Sequence, residues 1–298
     1  MIVNETNVRG LFSSLSTSFN KGFSGAPTAY LEVSMTVPSS TRETTYGWMG
    51  ALPGIREWIG DRHISRLSAH GYTIVNKDFE STISVRRNDI EDDQYGVFGA
   101  LAHDMGREAA EHPDKLVFSL MRQGFENTCY DGQYFFDADH QAADANGNPI
   151  SISNNQGGSG PAWFLLDASR GMRPFVYQER RPFEFVSMTD PHDYEVFMKN
   201  EFLYGVTSRC NVGYGLWQLA YGSRQPLTSG NYAAARQSMQ AIRGEGGRLL
   251  GIRPTTLVVP SSLEQAGRKL IKNQLMTAGE SNEWFESVEL IITPWLEA

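Results

Sequence analysis

The chain has 298 residues, of which 40% are hydrophobic, and a formal net charge of −8. That length holds one large or two ordinary domains with a real core, and the absence of a basic block argues against tight nonspecific nucleic-acid binding, which rests on neutralised phosphates. Two cysteines, Cys129 and Cys210, give no disulfide framework and read as reduced, buried thiols; no run of about 18 apolar residues could span a bilayer, and no basic region followed by an apolar run marks a secretory leader.

Residues 1–45 are rich in Ser, Thr and Asn. Leu11, Phe12, Leu15 and Phe19 have the spacing of a short amphipathic helix, which Gly22, Gly25 and Pro27 are expected to break. Tyr30 to Val37 reads as an extended segment ending at Pro38. The stretch looks like an arm that docks elsewhere, not a compact domain. Residues 46–86 read as a long β-hairpin. Its returning limb, Tyr72–Val75 and then Phe79–Arg86, places Phe79, Ile83 and Val85 on one face at period two. The outgoing limb, Glu57–Leu67, is weaker, with a turn expected at Ala69-His70-Gly71. A two-stranded ribbon this polar is marginal alone in water. It needs a surface to lie on, which another subunit could provide. Its aromatic and basic side chains, Trp48, Trp58, Arg62, His63 and Arg66, are the expected inter-subunit contacts, since interface energy concentrates in such groups.

The next element is a helix from about residue 96 to 123. Val97, Leu101, Met105, Ala109, His112, Leu116 and Leu120 recur every three or four residues, and the helix would be roughly 40 Å long. Pro113 removes one intrahelical bond, so a kink or break is expected there, with Pro113 and Asp114 opening a second segment. Beyond Gly124 the texture is mixed. Ser151–Gly160 reads as an exposed loop and Trp163–Asp167 as a buried strand. Phe175–Met188 reads as two strands around residues 179–182, and Phe202–Tyr221 as strands bent near Gly213 and Gly215. Tyr232–Ile242 is a helix, Thr256–Val259 a strand, and Ser261 with Glu264 a capping box that opens another helix. Val288–Ile292 is a last strand. Helices and strands alternate irregularly, which fits an α+β class.

Catalytic constellations are scarce. Asp131, Asp137, Asp139 and His140 could hold a divalent metal or run acid–base chemistry, though a polar turn beside Gly132 accounts for them better. Asp144, Asn146 and Asn148 have the start of a calcium loop, but Pro149 and Asn155 stand where glycine and glutamate are required. Gly213-Tyr214-Gly215 lacks the third glycine of a dinucleotide loop, and no phosphate loop, nucleophile elbow or His-Glu-x-x-His occurs. No catalytic, cofactor-binding or metal-ligating residue is therefore assigned.

Several ordered segments resemble the major head subunit of Mu-like tailed phages, the gpT type of major capsid protein. They include Ser39-Ser40-Thr41-Arg42 leading to Tyr46-Gly47-Trp48, Glu57-Trp58-Ile59-Gly60, Ala69-His70-Gly71-Tyr72, Glu91-Asp92-Asp93 and Cys129-Tyr130-Asp131-Gly132-Gln133. Phe164-Leu165-Leu166-Asp167, Gln178-Glu179-Arg180-Arg181, Asn200-Glu201-Phe202-Leu203 and Val258-Val259-Pro260 extend the set over nearly the whole chain.

The resemblance implies a Hong Kong 97-type capsid fold and a self-assembling icosahedral shell of hexamers and pentamers. It divides the chain into an N-terminal arm (1–45), an E-loop hairpin reaching a neighbour (46–86), a peripheral domain with the spine helix (87–124), a mainly axial domain (125–270) and a C-terminal return to the peripheral domain (271–298). The implied partners are further copies of the chain, a separate scaffold protein, a portal, decoration proteins, and packaged DNA without tight specific binding. The implied location is the virion, assembled in the host cytoplasm, with no membrane and no enzymatic role. An encapsulin-like compartment is the alternative within the fold, and a metal-dependent hydrolase using Asp131, Asp137, Asp139 and His140 the alternative outside it. The first 45 residues show no long heptad-patterned helix, so the chain is expected to enter the particle full length, its arm ordered against a neighbour, with Lys77 a solvated charge rather than a cross-link.

Overall fold

The helix expected at 96–123 forms as α4, Tyr95–Arg122, and runs through Pro113 as one element. The computed structural model describes residues 5–47, 71–92, 95–144, 146, 148–190, 192–244, 247–275 and 279–297. The break expected at Pro113 does not occur. An interior proline costs about 3 kcal/mol or more, but here burial holds the turns on both sides, Met105, Ala109 and Ala110 before it and Val117, Phe118 and Met121 after it. Asp114 opens no second segment. It is buried and accepts N–H bonds from Ala29 at 3.0 Å and Tyr30 at 2.8 Å. The apolar stripe also differs at its start: Val97 and Leu101 are 63% and 45% exposed, while Ala102, Met105 and Ala109 are buried. Four residues advance a helix by about 400°, so repeated steps of four drift off a face by about 40° each.

The arm is more regular than its sequence suggests. Helix α1 spans Glu5–Gly25, with Leu11, Leu15 and Phe19 buried. Gly22 does not break it. A Cβ at Gly22 would run into the His103 carbonyl, and one at Gly106 into the Phe19 carbonyl, so the two glycines let the backbones of α1 and α4 touch. The described arm thus docks on its own chain's long helix. A short turn, α2 (Tyr30–Val33), then leads into strand β1 (Ser34–Pro38).

The hairpin is only partly as expected. β2 (Glu43–Tyr46) pairs antiparallel with β3 (Tyr72–Val75). The outgoing limb 57–67 and the turn at 69–70 lie outside the described residues. The rest of the returning limb leaves the ribbon: β4 (Lys77–Arg86) pairs with β10 (Glu201–Tyr214), Phe79 opposite Ser208 and Val85 opposite Phe202. It joins a four-stranded sheet ordered β1-β9-β10-β4. β9 is one strand, Phe175–Met188, where two were expected. Pro182 has no N–H to give, and the ladder absorbs it by a register shift near Arg209. One face of this sheet, carrying Phe79, Ile83, Val85, Phe202, Tyr204 and Val206, packs against α1 and α4.

The second sheet is five-stranded, ordered β13 (Glu289–Thr293), β12 (Thr256–Pro260), β8 (Trp163–Leu166), β11 (Ala220–Arg224) and β7 (Asn155–Gly158). Its core continues into Val117, Phe118 and Met121 of α4, so residues before and after position 124 share one apolar interior. The loop expected at 151–160 contains β7 and the end of β6 (Pro149–Ile152), which pairs with β5 (His140–Ala143). Asn154 between them is fully buried, and its amide donates to the Phe135 carbonyl at 2.8 Å. Helices α3 (Arg87–Glu91), α5 (Tyr194–Lys199), α6 (Ser229–Gln240) and α7 (Glu264–Ile271) complete the set. The capping box before α7 does not form. Ser261 begins a 3-10 turn, the Ser262 N–H goes to the Glu297 carboxylate at 2.6 Å, and Glu264 turns forward to Arg268.

The α1–α4 contact yields the first prediction. Gly106→Ala should lower stability by about 1–3 kcal/mol through overpacking and make α1 the first segment cut in limited proteolysis. Gly25→Ala, with open space around it, should leave the urea midpoint almost unchanged.

Candidate functional site

The contact residues expected on the hairpin, Trp48, Trp58, Arg62, His63 and Arg66, lie outside the described residues. The structure does describe the base from which they issue. Tyr46 and Tyr72 face each other at the end of the β2–β3 pair, so residues 48–70 leave and re-enter at one place. That base is bolted to the four-stranded sheet by a buried polar network centred on Gln178. Its Oε1 accepts from the Tyr46 hydroxyl at 2.7 Å, and its Nε2 donates to Asn76 Oδ1 at 2.8 Å and to the Ile74 carbonyl at 3.2 Å. Asn76 in turn donates to Ser39 Oγ at 3.0 Å and the Thr41 carbonyl at 2.9 Å. Burial pushes the Tyr46 hydroxyl up to about 12, so it stays a donor. On the other side, Asn211 donates to the Val75 carbonyl at 2.7 Å. The links tie residues 39–46, 74–76, Gln178 and Asn211 together, so the root of the hairpin is held by the body of the subunit.

The acidic turn is assembled differently from the expected quartet. Asp131 and His140 meet, Oδ2 to Nδ1 at 2.7 Å, and the partner the sequence reading missed is Cys129, whose thiol donates to Asp131 Oδ1 at 3.1 Å. His140 is fully buried, its ring stacked 3.8 Å from Trp217. Asp137 instead accepts the N–H groups of Tyr134 and Ala138, and exposed Asp139 is raised chiefly by its hydrogen bond with Asp137. Donor atoms of Cys129, Asp131 and His140 lie within 4.8 Å of one another, a set that suits a thiophilic cation. Hydrogen bonds link the three to one another, while His140 Nε2 is buried without a hydrogen-bond partner. Burial pushes Asp131 up, but hydrogen bonds from His140 and Cys129 outweigh it and hold the carboxyl below its ordinary range. Ionised, Asp131 accepts, so His140 Nδ1 carries a proton. Burial first, then the Asp131 charge, pushes the Cys129 thiol up and keeps it protonated. The arrangement is a clip that closes the loop after α4 onto Trp217. The adjacency of Cys129 and Asp131 was its sequence signal; Trp217 gave none.

A third feature escaped the sequence reading. On α5, Val196 is buried in the same cluster as Phe98 and Ala102, but Tyr194, Phe197 and Met198 are 73%, 77% and 60% exposed. Six residues are too few to show a period. This apolar end suits burial by another molecule.

The clip sets a pH dependence. Asp131 has a folded pKa below its unfolded value, so its contribution to stability is present above the ordinary carboxylate range and is lost as pH falls through the depressed value. Asp131→Asn should be less stable at neutral pH and should lack part of the wild-type loss below about pH 4, read by tryptophan fluorescence during acid titration.

Comparison with known proteins is consistent over the full length. The family model of the Mu-like prophage major head subunit gpT matches residues 8–296. The chain is 46% identical over 275 residues to the Mu-like prophage FluMu major head subunit of Haemophilus influenzae, covering 90% of this chain and 89% of that protein. It is 41% identical to the major capsid protein of Escherichia phage Mu, covering 99% of this chain and 100% of that one. The subunit in the procapsid of bacteriophage JBD30 superposes with a TM-score of 0.87 at 44% identity, over 98% of this chain and 100% of that one. The chain belongs to the Mu-like prophage major head subunit gpT family: it is a major capsid protein of Hong Kong 97-type α+β fold, a building block of the phage head shell.

Proposed function

We propose that copies of this chain form the hexamers and pentamers of an icosahedral shell, and that residues 48–70 of each copy grip a neighbour through Trp48, Trp58, Arg62, His63 and Arg66. The observation that supports this reading is the locked hairpin base. A buried network around Gln178 fixes where the segment leaves the subunit, and the segment itself carries two tryptophans and three arginines, Arg56, Arg62 and Arg66. A rigid root with a sticky extension is what a subunit needs to hold a neighbour at a defined angle. In this reading residues 1–45 form the arm, 46–86 the E-loop, 87–124 the peripheral domain with the spine helix, 125–270 mainly the axial domain, and 271–298 the return to the peripheral domain. Partners are a separate scaffold protein, a portal and decoration proteins, with assembly in the host cytoplasm. We assign the subunit no catalytic step; the hydrogen bonds that Cys129 and His140 make to Asp131, and the stacking of His140 on Trp217, support a structural role for that cluster.

Packaged DNA would meet a wall of acidic subunits. At −8 per chain, repulsion acts within about 8 Å at physiological salt and keeps duplex from adhering.

Purified chain examined by negative stain should show capsomers or closed particles; a small, discrete oligomer binding metal through Asp131 and His140 would refute the shell reading. Trp58→Ala should reduce particle yield while far-UV circular dichroism stays unchanged. The free subunit should show no salt-sensitive nanomolar DNA affinity in a filter assay.

A further inference from the structure

The loop after α4 turns tightly at Cys129-Tyr130-Asp131-Gly132. The Gly132 N–H returns to the Cys129 carbonyl at 3.2 Å, and Gly132 has φ +84°, a conformation that glycine adopts without strain. The turn sets Cys129 and Asp131 side by side, with thiol and carboxylate 3.1 Å apart. The Asp131 backbone N–H also bears on the Cys129 sulfur and favours its thiolate form, which is the form of cysteine that ligates metals. Strand β5 brings the third group. His140 opens that strand, fully buried and stacked on Trp217, with Nδ1 2.7 Å from Asp131 Oδ2. One sulfur, one carboxylate oxygen and one imidazole nitrogen thus lie within 4.8 Å of one another. Cys129 and His140 are closed off from solvent, whereas the Asp131 side chain keeps 20% of its surface exposed, so the cluster has one open side.

We propose that Cys129, Asp131 and His140 bind one thiophilic divalent cation of the zinc class, which staples the loop after α4 to the start of β5, the fourth position falling to water on the Asp131 side. Zinc takes cysteine sulfur, histidine nitrogen and carboxylate oxygen tetrahedrally at about 2.0–2.3 Å, which spaces the ligand atoms about 3.5 Å apart. The Sγ–Oδ1 separation of 3.1 Å is close to that. The shorter Nδ1–Oδ2 contact is a hydrogen bond, and it opens when an ion takes the proton's place. On binding, the thiol releases its proton to solvent, the Nδ1 lone pair goes to the ion, and the imidazole keeps its proton on Nε2. A divalent ion with one thiolate and one carboxylate is neutral overall, which limits the cost of burying it. Calcium and magnesium take oxygen ligands, so the sulfur selects against them. The staple holds residues 129–140, whose Phe135 and Phe136 are buried in the main core, against Trp217. It acts within one subunit and adds no catalytic step.

Full-length chain stripped with a chelator and then titrated with cobalt(II) tests the site by its absorption spectrum. A sulfur-to-cobalt charge-transfer band that saturates at one ion per chain, and that zinc abolishes, is expected. Cys129→Ser should remove the band. Asp131→Asn should weaken cobalt binding by more than the roughly 10–100-fold that loss of an outer-shell partner costs. Cys210→Ser, which changes the other cysteine, should leave band and affinity as they are. If Cys129→Ser fails to fold, Asp131→Cys keeps the site testable, because a second thiolate should intensify the band and tighten binding. No charge-transfer band in the folded wild-type chain, or a band that survives Cys129→Ser, overturns the site. The same titration on assembled particles separates it from the shell reading. Particles that bind no cobalt sink the site alone; a chain that binds cobalt and never assembles sinks the shell reading alone.

Discussion

The continuity of α4 through Pro113 is the constraint on which the rest of the subunit depends. Its first half packs against α1 and the four-stranded sheet, with Ala102, Met105 and Ala109 buried there. Its second half enters the other core through Val117, Phe118 and Met121. A hinge at the proline would let the two cores move independently. Proline weakens the helix by removing one bond and crowding the preceding turn, and the structure counters this with tertiary contacts on both sides. Asp114, next in sequence, adds a second tie by taking the N–H groups of Ala29 and Tyr30, where the chain passes from α1 to β1. Burial raises its pKa while those N–H bonds oppose the rise. Helix, arm and sheet are thereby joined at one point, midway along the molecule.

Patterns that depend on local periodicity were legible. The buried strands Trp163–Leu166, Thr256–Pro260 and Glu289–Thr293 and the helices α4 and α6 lie where apolar spacing puts them. Long-range pairing was not legible. Phe79, Ile83 and Val85 share a face as read, yet their strand partner is Glu201–Cys210, more than a hundred residues away, and no local signal encodes that. Side chains whose role depends on what approaches them were misread in the same way. Gly22 reads as a helix breaker until a second helix lies against it. Asn154 reads as loop until its amide is seen among the carbonyls of Phe135, Trp217 and Ala220. Ser261 and Glu264 have capping spacing, but Glu297 reaches the turn first.

The candidate site shows the same division. The acidic turn was visible as a cluster of titratable residues, but its wiring was not. Asp131 takes its bonds from Cys129 and His140, while Asp137 is occupied by the backbone of its own turn. Four groups close in sequence thus became two pairs in space, Asp131 with His140 and Asp137 with Asp139.

For a shell subunit the demanding task is orientation, and the Gln178 network shows how it is met. Gln178 is fully buried, and burying an amide costs stability unless each polar atom is paired. An apolar residue there would pack as well and remove that cost. It would also remove one bond each from Tyr46, Asn76 and the Ile74 carbonyl and loosen the hairpin root. The paired amide accepts one arrangement of β2, β3 and β9 and penalises others, because any tilt strands a donor or acceptor. The buried amide thus gives the β2–β3 root one arrangement against β9 where an apolar residue would allow several.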